Sequence, residues 1–251
     1  MEMSGRHSSR MLLRLRVELP DRPGSLGQTA RTLGVVGADI VSVVVLERAQ
    51  GRAVDDFTVV WPASALVGRI LVGLGAVPGV RVVGVWRCTE LPAPIGRDVA
   101  LLGQVAADPG RGLATLVDGV PGLVAADWAA VSVVDPAWAG APASVPLTVR
   151  YASWGAPLAP ALPDVAPLRP RAVTAPDGTH YVAVPFQRDG LVMIAARGGP
   201  DGPGRTAAAD GAIPPPFHAS EVDRLGQLVN AAAVVLGDNL IAGDAPVEHA
   251  A

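Results

Sequence analysis

The chain has 251 residues, of which 50% are hydrophobic and 17% charged, with one cysteine and a formal net charge of −3 at pH 7. This much apolar side chain excludes a disordered protein, and a single cysteine excludes a fold held by disulfide bonds. At roughly 100–200 residues per domain, the length allows one large domain or two small ones.

The distribution of charged and apolar residues limits the partners and the cellular location that we expect for the protein. Residues 1–88 carry 11 arginines and 7 acidic residues, whereas residues 89–251 carry 9 arginines and 16 acidic residues. This asymmetry favours two domains, and neither half is basic enough to predict nucleic-acid binding. No run reaches the roughly 18–20 apolar residues of a membrane helix, and the polar residues 1–10 are not typical of a signal peptide. We therefore expect a cytoplasmic protein that does not bind membranes.

The first third of the chain predicts the order β-α-β-β-α-β. Apolar and charged side chains alternate in the first strand, and apolar residues share one face in each helix. The strands are predicted over residues 11–19, 39–47, 54–61 and 80–87, and the helices over 25–36 and from a capping Ser64 to 77. Two βαβ halves of this size close into a four-stranded antiparallel sheet with both helices on one face, the ferredoxin-like arrangement.

The rest of the chain predicts a second α+β domain, residues 97–242, after a proline-rich linker over 89–96. It combines helices at both ends with three or four antiparallel strands. Helices are predicted over 97–107, 112–120 and 219–240, and strands over 129–134, 145–154, 179–186 and 191–196. An Asp-Gly pair at 189–190 predicts a hairpin turn, and six prolines make residues 155–178 an expected irregular segment.

A specific motif lies between the first strand and the first helix. The turn Asp21-Arg22-Pro23-Gly24-Ser25-Leu26 resembles the Asp-Arg-Pro-Gly-x-Leu signature of ACT domains, small regulatory modules that bind amino acids. The Gly-Ala-Asp-Ile sequence at 37–40 and Val-Pro-Gly-Val at 77–80 are similar to further ACT turns. Proline fixes φ, Gly24 allows the backbone to approach a ligand, and amides at the helix start favour a carboxylate. The resemblance covers residues 11–88, the expected ACT domain.

The resemblance to ACT domains implies a homodimer joined through a sheet edge. The ligand would lie between the first turn of one copy and the second strand of the other. The implied ligand-binding residues are Asp21, Arg22, Pro23, Gly24, Ser25 and Leu26, with Asp39 and Ile40 from the facing copy. Asp21 would bind an ammonium group, and the amides of Gly24 to Leu26 a carboxylate. The alternative is a loop that only positions the helix and binds nothing.

The second domain resembles a GAF domain in its last helix. There Phe217-His218-Ala219-Ser220-Glu221 places an aromatic residue before a capped, acidic first turn. The resemblance implies a GAF-like domain over 97–242, from which the proline-rich segment 155–178 departs.

No catalytic, metal or cofactor site is predicted. The histidines at 7, 180, 218 and 249 do not pair at metal-ligand spacing, and Cys88 has no second thiol or histidine near it in the sequence. Asp55 and Asp56 are adjacent in a strand, so they point to opposite faces and we expect a solvated pair. We therefore expect a non-catalytic regulatory protein that binds an amino acid or similar ligand and acts through a partner protein or through its oligomeric state. The alternative is an interaction or dimerisation scaffold with degenerate ligand sites.

Overall fold

The chain forms two compact units of mixed α and β structure, each with one antiparallel sheet. The computed structural model describes residues 10–88, 96–134, 148–160, 162–165, 168–186, 190–198 and 213–242. The first unit contains residues 10–88 and 213–215, and the second unit contains the other described residues. Within these ranges no helix is both long and apolar enough to cross a membrane.

The first unit has the ferredoxin-like topology that the element order predicts. Its elements are β1 (Arg10–Pro20), α1 (Ser25–Val36), β2 (Asp39–Ala49), β3 (Arg52–Pro62), α2 (Gly68–Gly75) and β4 (Arg81–Cys88). The sheet order is β2-β3-β1-β4, and all neighbouring strands are antiparallel. Gln50 and Gly51 join β2 to β3 with φ values of 52° and 74°, which is the two-residue hairpin turn that matches strand twist.

One face of this sheet packs against its two helices. The alternating apolar residues of β1 and β3 meet the apolar sides of α1 and α2, as their period of two predicts. The buried residues include Leu13, Leu15, Val17, Leu19, Phe57, Val59, Leu33, Ile70 and Leu74.

The predicted start of the second helix at Ser64 is wrong. α2 begins at Gly68, and its N-cap, Val67, makes no side-chain cap hydrogen bond. The preceding residues form a turn instead, in which the amide of Ala65 donates to the carbonyl of Pro62 over 3.0 Å. The indole N–H of buried Trp61 donates to the carbonyl of Ala65 over 3.0 Å and holds this turn against the core.

The second unit has a five-stranded antiparallel sheet, one strand more than expected. Its elements are α3 (Arg97–Ala107), α4 (Gly112–Val124), β5 (Trp128–Val133), β6 (Thr148–Ala152), β7 (Arg171–Thr174), β8 (His180–Pro185), β9 (Leu191–Arg197), α5 (Ala219–Leu236) and α6 (Asn239–Ala242). The strand order is β6-β5-β9-β8-β7. The three longer helices pack on one sheet face, and Leu162 and Val165 pack on the other.

Three local expectations for this unit need correction. The helix predicted to stop before Pro121 continues to Val124, since a proline in the last turn removes only one hydrogen bond. The segment 155–178 contains the short edge strand β7, which pairs with β8. The last helix breaks at Gly237, where φ is 51°.

Residues 213–215, which the sequence assigns to the second domain, lie in the first unit. The amide of Val85 donates to the carbonyl of Ile213 over 2.9 Å, so this segment covers part of the β4 edge. The predicted linker residues 89–95 and most of the predicted hairpin turn, 187–189, lie outside the described residues.

Candidate functional site

The predicted ligand-binding turn lies at the end of β1, where α1 begins. Gly24 is the N-cap and has φ 92°, a left-handed conformation that favours glycine. No side chain caps the helix, and its first turn contains no acidic residue. Because the first amides of a helix have no partner within it, this end presents N–H donors and the positive end of the helix dipole. The arrangement suits an anionic group such as a carboxylate.

Most residues of the turn are exposed, but Ser25 is not. Arg22, Pro23, Gly24 and Leu26 are exposed, whereas Ser25 is buried. The Ser25 carbonyl accepts a hydrogen bond of 3.0 Å from the hydroxyl of Thr29. The Ser25 amide donates to the carbonyl of Arg22 over 3.3 Å, so this amide already has a partner outside the helix.

Asp21 is paired with a cation of its own chain. Its amide donates to the carbonyl of Gly51 over 2.9 Å. Its carboxylate accepts a 3.0 Å hydrogen bond from Nε of Arg48 and a second bond from Nη2 of the same side chain. The hydrogen bond to Asp21 raises the pKa of Arg48, whose side chain is 67% exposed. The ammonium-binding role implied for Asp21 would thus compete with Arg48.

Asp39 and Ile40 lie far from the turn within one chain. Asp39 starts β2 opposite Val60, and β2 finishes with Ala49 opposite Arg52, beside the end of β1. At about 3.3 Å per residue, the two ends of an eleven-residue strand are roughly 30 Å apart. The structure therefore brings Asp21 to Leu26 together with Arg48, and it leaves Asp39 and Ile40 at the opposite end of the sheet.

The expectation of a solvated pair at Asp55 and Asp56 is wrong, because the two residues are only 2% and 3% exposed. They do point to opposite faces. Asp56 accepts hydrogen bonds of 2.8 and 2.9 Å from Nε and Nη2 of Arg16, which also lies over the ring of Trp86. Asp55 lies opposite the core residue Val17, so it faces the helices.

Asp55 is the main feature of this region that the sequence reasoning missed. Its Oδ1 atom is buried and has no hydrogen-bond partner in the described part of the chain. Burial raises the pKa of this carboxyl, while the charge of Arg48 lowers it and those of Asp56 and Asp21 raise it. The signal was present in the alternation of β3, where Asp55 shares the apolar parity of Ala53 and Phe57. Arg48, at the end of β2, had no comparable signal.

The outer edge of β2 is apolar and exposed. β2 is an edge strand of its sheet, and four of its valines, residues 41, 43, 44 and 45, are 38–53% exposed. Residues 42–46 contain neither proline nor charge, the features with which sheet edges usually avoid pairing. This edge is therefore a candidate surface for strand pairing with another chain.

The other reactive side chains of the described residues have structural surroundings. Burial raises the pKa of the Cys88 thiol. His180 Nδ1 lies 2.9 Å from the hydroxyl of Thr174, and His218 caps α5. The described residues contain no group of three or more histidine, cysteine or acidic side chains that could hold a metal ion.

No protein-family model matches the chain, and no curated protein is significantly similar to it in sequence. Several solved structures are similar to parts of the chain. One of them is an ACT domain. This domain, from the GTP pyrophosphokinase of Chlorobium tepidum, is 17% identical and covers 34% of this chain and 94% of its own, with a TM-score of 0.27.

The second structure, an uncharacterised protein from Thermotoga maritima, is 20% identical and covers 32% of this chain and 98% of its own, with a TM-score of 0.26. The third, a protein of unknown function from Galdieria sulphuraria, is 13% identical and covers 75% of this chain and 81% of its own, with a TM-score of 0.29. At these values the similarities carry no argument about function.

Proposed function

We propose that the protein is a non-catalytic sensor that binds an amino acid or a similar small molecule at the turn 21–26. The observation that supports this most strongly is the start of α1, which no side chain caps and at which Gly24 and Leu26 are exposed. A ligand carboxylate would accept hydrogen bonds from the first-turn amides. Arg48, exposed beside the turn, supplies a second group for an anion.

We propose further that a second copy completes the site by pairing along the β2 edge. In an antiparallel pairing of two β2 strands, the start of one strand lies beside the end of the other. Asp39 and Ile40 of the second copy would then lie near Arg48 and the turn, although they are distant from it within one chain. The exposed valines support this pairing, because their burial would add hydrophobic stabilisation. A ligand held between the copies would favour the dimer by differential binding.

Ligand binding at the turn can be tested with two variants of one residue. Gly27 lies in the first turn of α1, and a Cβ atom there would meet nothing within 4 Å. Gly27→Ala keeps the amides available, whereas Gly27→Asp places a carboxylate where the ligand's carboxylate would bind. In a thermal-shift screen of the twenty amino acids, at least one should raise the Tm of the wild type and of Gly27→Ala but not of Gly27→Asp. A flat screen of the wild type would refute the amino-acid sensor.

The β2 pairing has a matched test of its own. Val44→Arg puts a charge in the middle of the exposed β2 edge, and Val72→Arg puts the same charge on an exposed position of α2. Light scattering should give twice the 25.5 kDa chain mass for the wild type and for Val72→Arg, and one chain mass for Val44→Arg. A wild type that is monomeric at high concentration would exclude the shared site.

The second candidate function is an interaction scaffold in which the turn binds nothing. The Asp21–Arg48 pair favours it, because the carboxylate already has a partner. A scaffold would dimerise through β2 and show no ligand-dependent rise in Tm. The two functions therefore agree on the Val44→Arg result and differ on the amino-acid screen.

For the second unit we propose a GAF-like domain, and its first-turn geometry at α5 supports this. His218 accepts a hydrogen bond from the Ser220 amide, and Glu221 accepts one of 2.7 Å from the His218 amide. This is the capped, acidic first turn after Phe217 on which the resemblance rests.

A further inference from the structure

We propose that Asp55 binds a positively charged side chain of the ligand, so that the site is specific for a basic amino acid such as lysine. This inference rests on the proposed function, since it assumes that the turn 21–26 binds an amino-acid carboxylate. It narrows the ligand class and replaces Asp21 by Asp55 as the carboxylate that binds the ligand's cation.

The first argument concerns the Asp55 carboxylate, which is buried where an ionised group costs free energy. It is 2% exposed, and its Oδ1 has no hydrogen-bond partner in the described part of the chain. The charged groups that act on it are Arg48, Asp56 and Asp21. Arg48 bonds to Asp21, and Asp56 bonds to Arg16 on the opposite face, so neither ion pair includes Asp55. A bound cation would supply the missing partner.

The second argument is the polarity of the helix surface above this part of the sheet. α1 packs on β1 and β2, and the residues that it buries in its first two turns are Ser25 and Thr29. Leu33, one turn later, is the first apolar residue of that buried face. The Thr29 hydroxyl already bonds to the Ser25 carbonyl. The surface that α1 buries against the sheet is therefore polar in its first two turns and apolar from Leu33 onward.

The third argument is the spacing between the two charges that the ligand would contact. Asp55 is level with Val17 on β1, and the turn follows Pro20, three residues farther along the strand. At about 3.3 Å per residue, this separation is roughly 10 Å along the sheet. An α-carboxylate and α-ammonium are adjacent in every amino acid and cannot span it. A long side chain that ends in a cation brings its charge much closer to Asp55 while its carboxylate stays at the helix start.

Access to Asp55 requires a local rearrangement, because the free carboxyl is almost completely covered. The most exposed of the charged side chains that act on it is Arg48, which reaches Asp21 from the end of β2. A ligand carboxylate could take over the guanidinium of Arg48 and so separate it from Asp21. The ligand cation would then bond to Oδ1 of Asp55, which has no hydrogen-bond partner among the described residues.

The test compares lysine with norleucine, which has a side chain of similar length without the charge. Titration calorimetry on the full chain would use wild type, Asp55→Asn and Asp223→Asn, the last removing an exposed acidic charge from α5. We expect lysine to bind the wild type and Asp223→Asn at least tenfold more tightly than norleucine does. In Asp55→Asn this preference should disappear, with norleucine binding unchanged. Tm measured without ligand should be higher in Asp55→Asn than in the wild type.

Each of the other outcomes would contradict the proposed role of Asp55. If lysine and norleucine bind equally, or if Asp55→Asn keeps the preference, Asp55 is not a ligand residue, although the amino-acid sensor stands. If no amino acid binds the wild type, the sensor fails and this inference fails with it. If Asp55→Asn is less stable than the wild type or does not fold, Asp55 has a structural partner and the proposal is wrong.

Discussion

The two adjacent aspartates of β3 should respond in opposite ways to the same substitution. Asp56 and Arg16 are each 3% exposed, and two hydrogen bonds of 2.8 and 2.9 Å join them. Asp56→Asn keeps the shape of the side chain but leaves the guanidinium of Arg16 buried without its counter-charge. Asp55→Asn removes a buried charge for which the described residues supply no such hydrogen-bonded pair.

The expected magnitudes follow from these surroundings. Breaking a buried ion pair by removing one partner costs about 3–5 kcal/mol. For a unit of this size, each kcal/mol lowers Tm by about 4–8 °C, so Asp56→Asn should lower the Tm of the first unit by at least about 12 °C. Asp55→Asn relieves the desolvation of one carboxylate and should raise the free energy of unfolding by about 1 kcal/mol at pH 7.

The effect at Asp55 also has a defined pH dependence. Its pKa is raised in the folded protein, mainly by burial, so the folded state favours the protonated carboxyl. The wild type therefore gains stability from this group below the ordinary value of 3.8 and loses it as pH rises through the higher folded pKa. The advantage of Asp55→Asn should accordingly be smallest below pH 3.8 and should grow as pH rises toward 7.

Calorimetry of the full-length wild type and the two variants at several pH values measures both effects. Trp61 and Trp86, both buried in the first unit, report its unfolding by fluorescence as a second probe. At pH 7 the two substitutions should change Tm in opposite directions, and the two changes need not be equal in size. If both substitutions lower Tm, Asp55 has a stabilising partner and the burial argument is refuted. If neither changes Tm, the Arg16–Asp56 pair contributes no stability.

Two further substitutions test the packing within each unit. Arg197, 1% exposed, donates to both oxygens of Glu221 and lies 3.8 Å over the Phe217 ring, so Arg197→Met should lower the free energy of unfolding by about 3–5 kcal/mol in urea titration. A loss below about 1 kcal/mol would mean that this pair is not structural. A Cβ at Gly84 would lie 2.8 Å from the carbonyl oxygen of Ile213, so Gly84→Ala should displace residues 213–215 and speed hydrogen exchange at the Val85 amide. Gly34→Ala is the control, since its Cβ would meet nothing within 4 Å, and equal exchange in both variants would contradict the contact.

The parts of the fold that local rules determine were predictable from the sequence. Alternation, and for β2 a run of β-branched residues, predicted the strands of the first unit to within about two residues at each end, and the Pro-Gly turn predicted the start of α1. The missed features depend on distant residues. β7 is a strand because β8 pairs with it, and residues 213–215 join the first unit because Val85 bonds to Ile213. Neither contact leaves a local pattern.

The sequence predicted the part of the candidate site that the backbone of the turn forms, but not the side chains that surround it. The motif at 21–26 showed where an anion could bind, but the implied partner of the ligand's cation, Asp21, turned out to be bonded to Arg48. The burial of Asp55 follows from its place in the apolar alternation of β3, not from its adjacency to Asp56. A charged residue at a position where the alternation predicts an apolar residue departs from the usual agreement between sequence pattern and burial. Such departures are concentrated at functional sites.

Two unusual features of the first unit, the exposed valines of β2 and the buried carboxyl of Asp55, lie toward the β2 edge of its sheet. A complex with a second copy and a ligand would remove both. The β4 edge is partly covered by residues 213–215, whereas β2 exposes four valines. On the adjacent β3, the buried Oδ1 of Asp55 has no hydrogen-bond partner within the described ranges. A second copy on β2 would cover the valines, and a ligand cation would neutralise Asp55. If both belong to one complex, ligand binding and dimerisation are linked, and the rise in Tm caused by lysine should increase with protein concentration. A rise that is independent of concentration would show that the ligand site is complete within one chain and that the β2 edge serves another purpose.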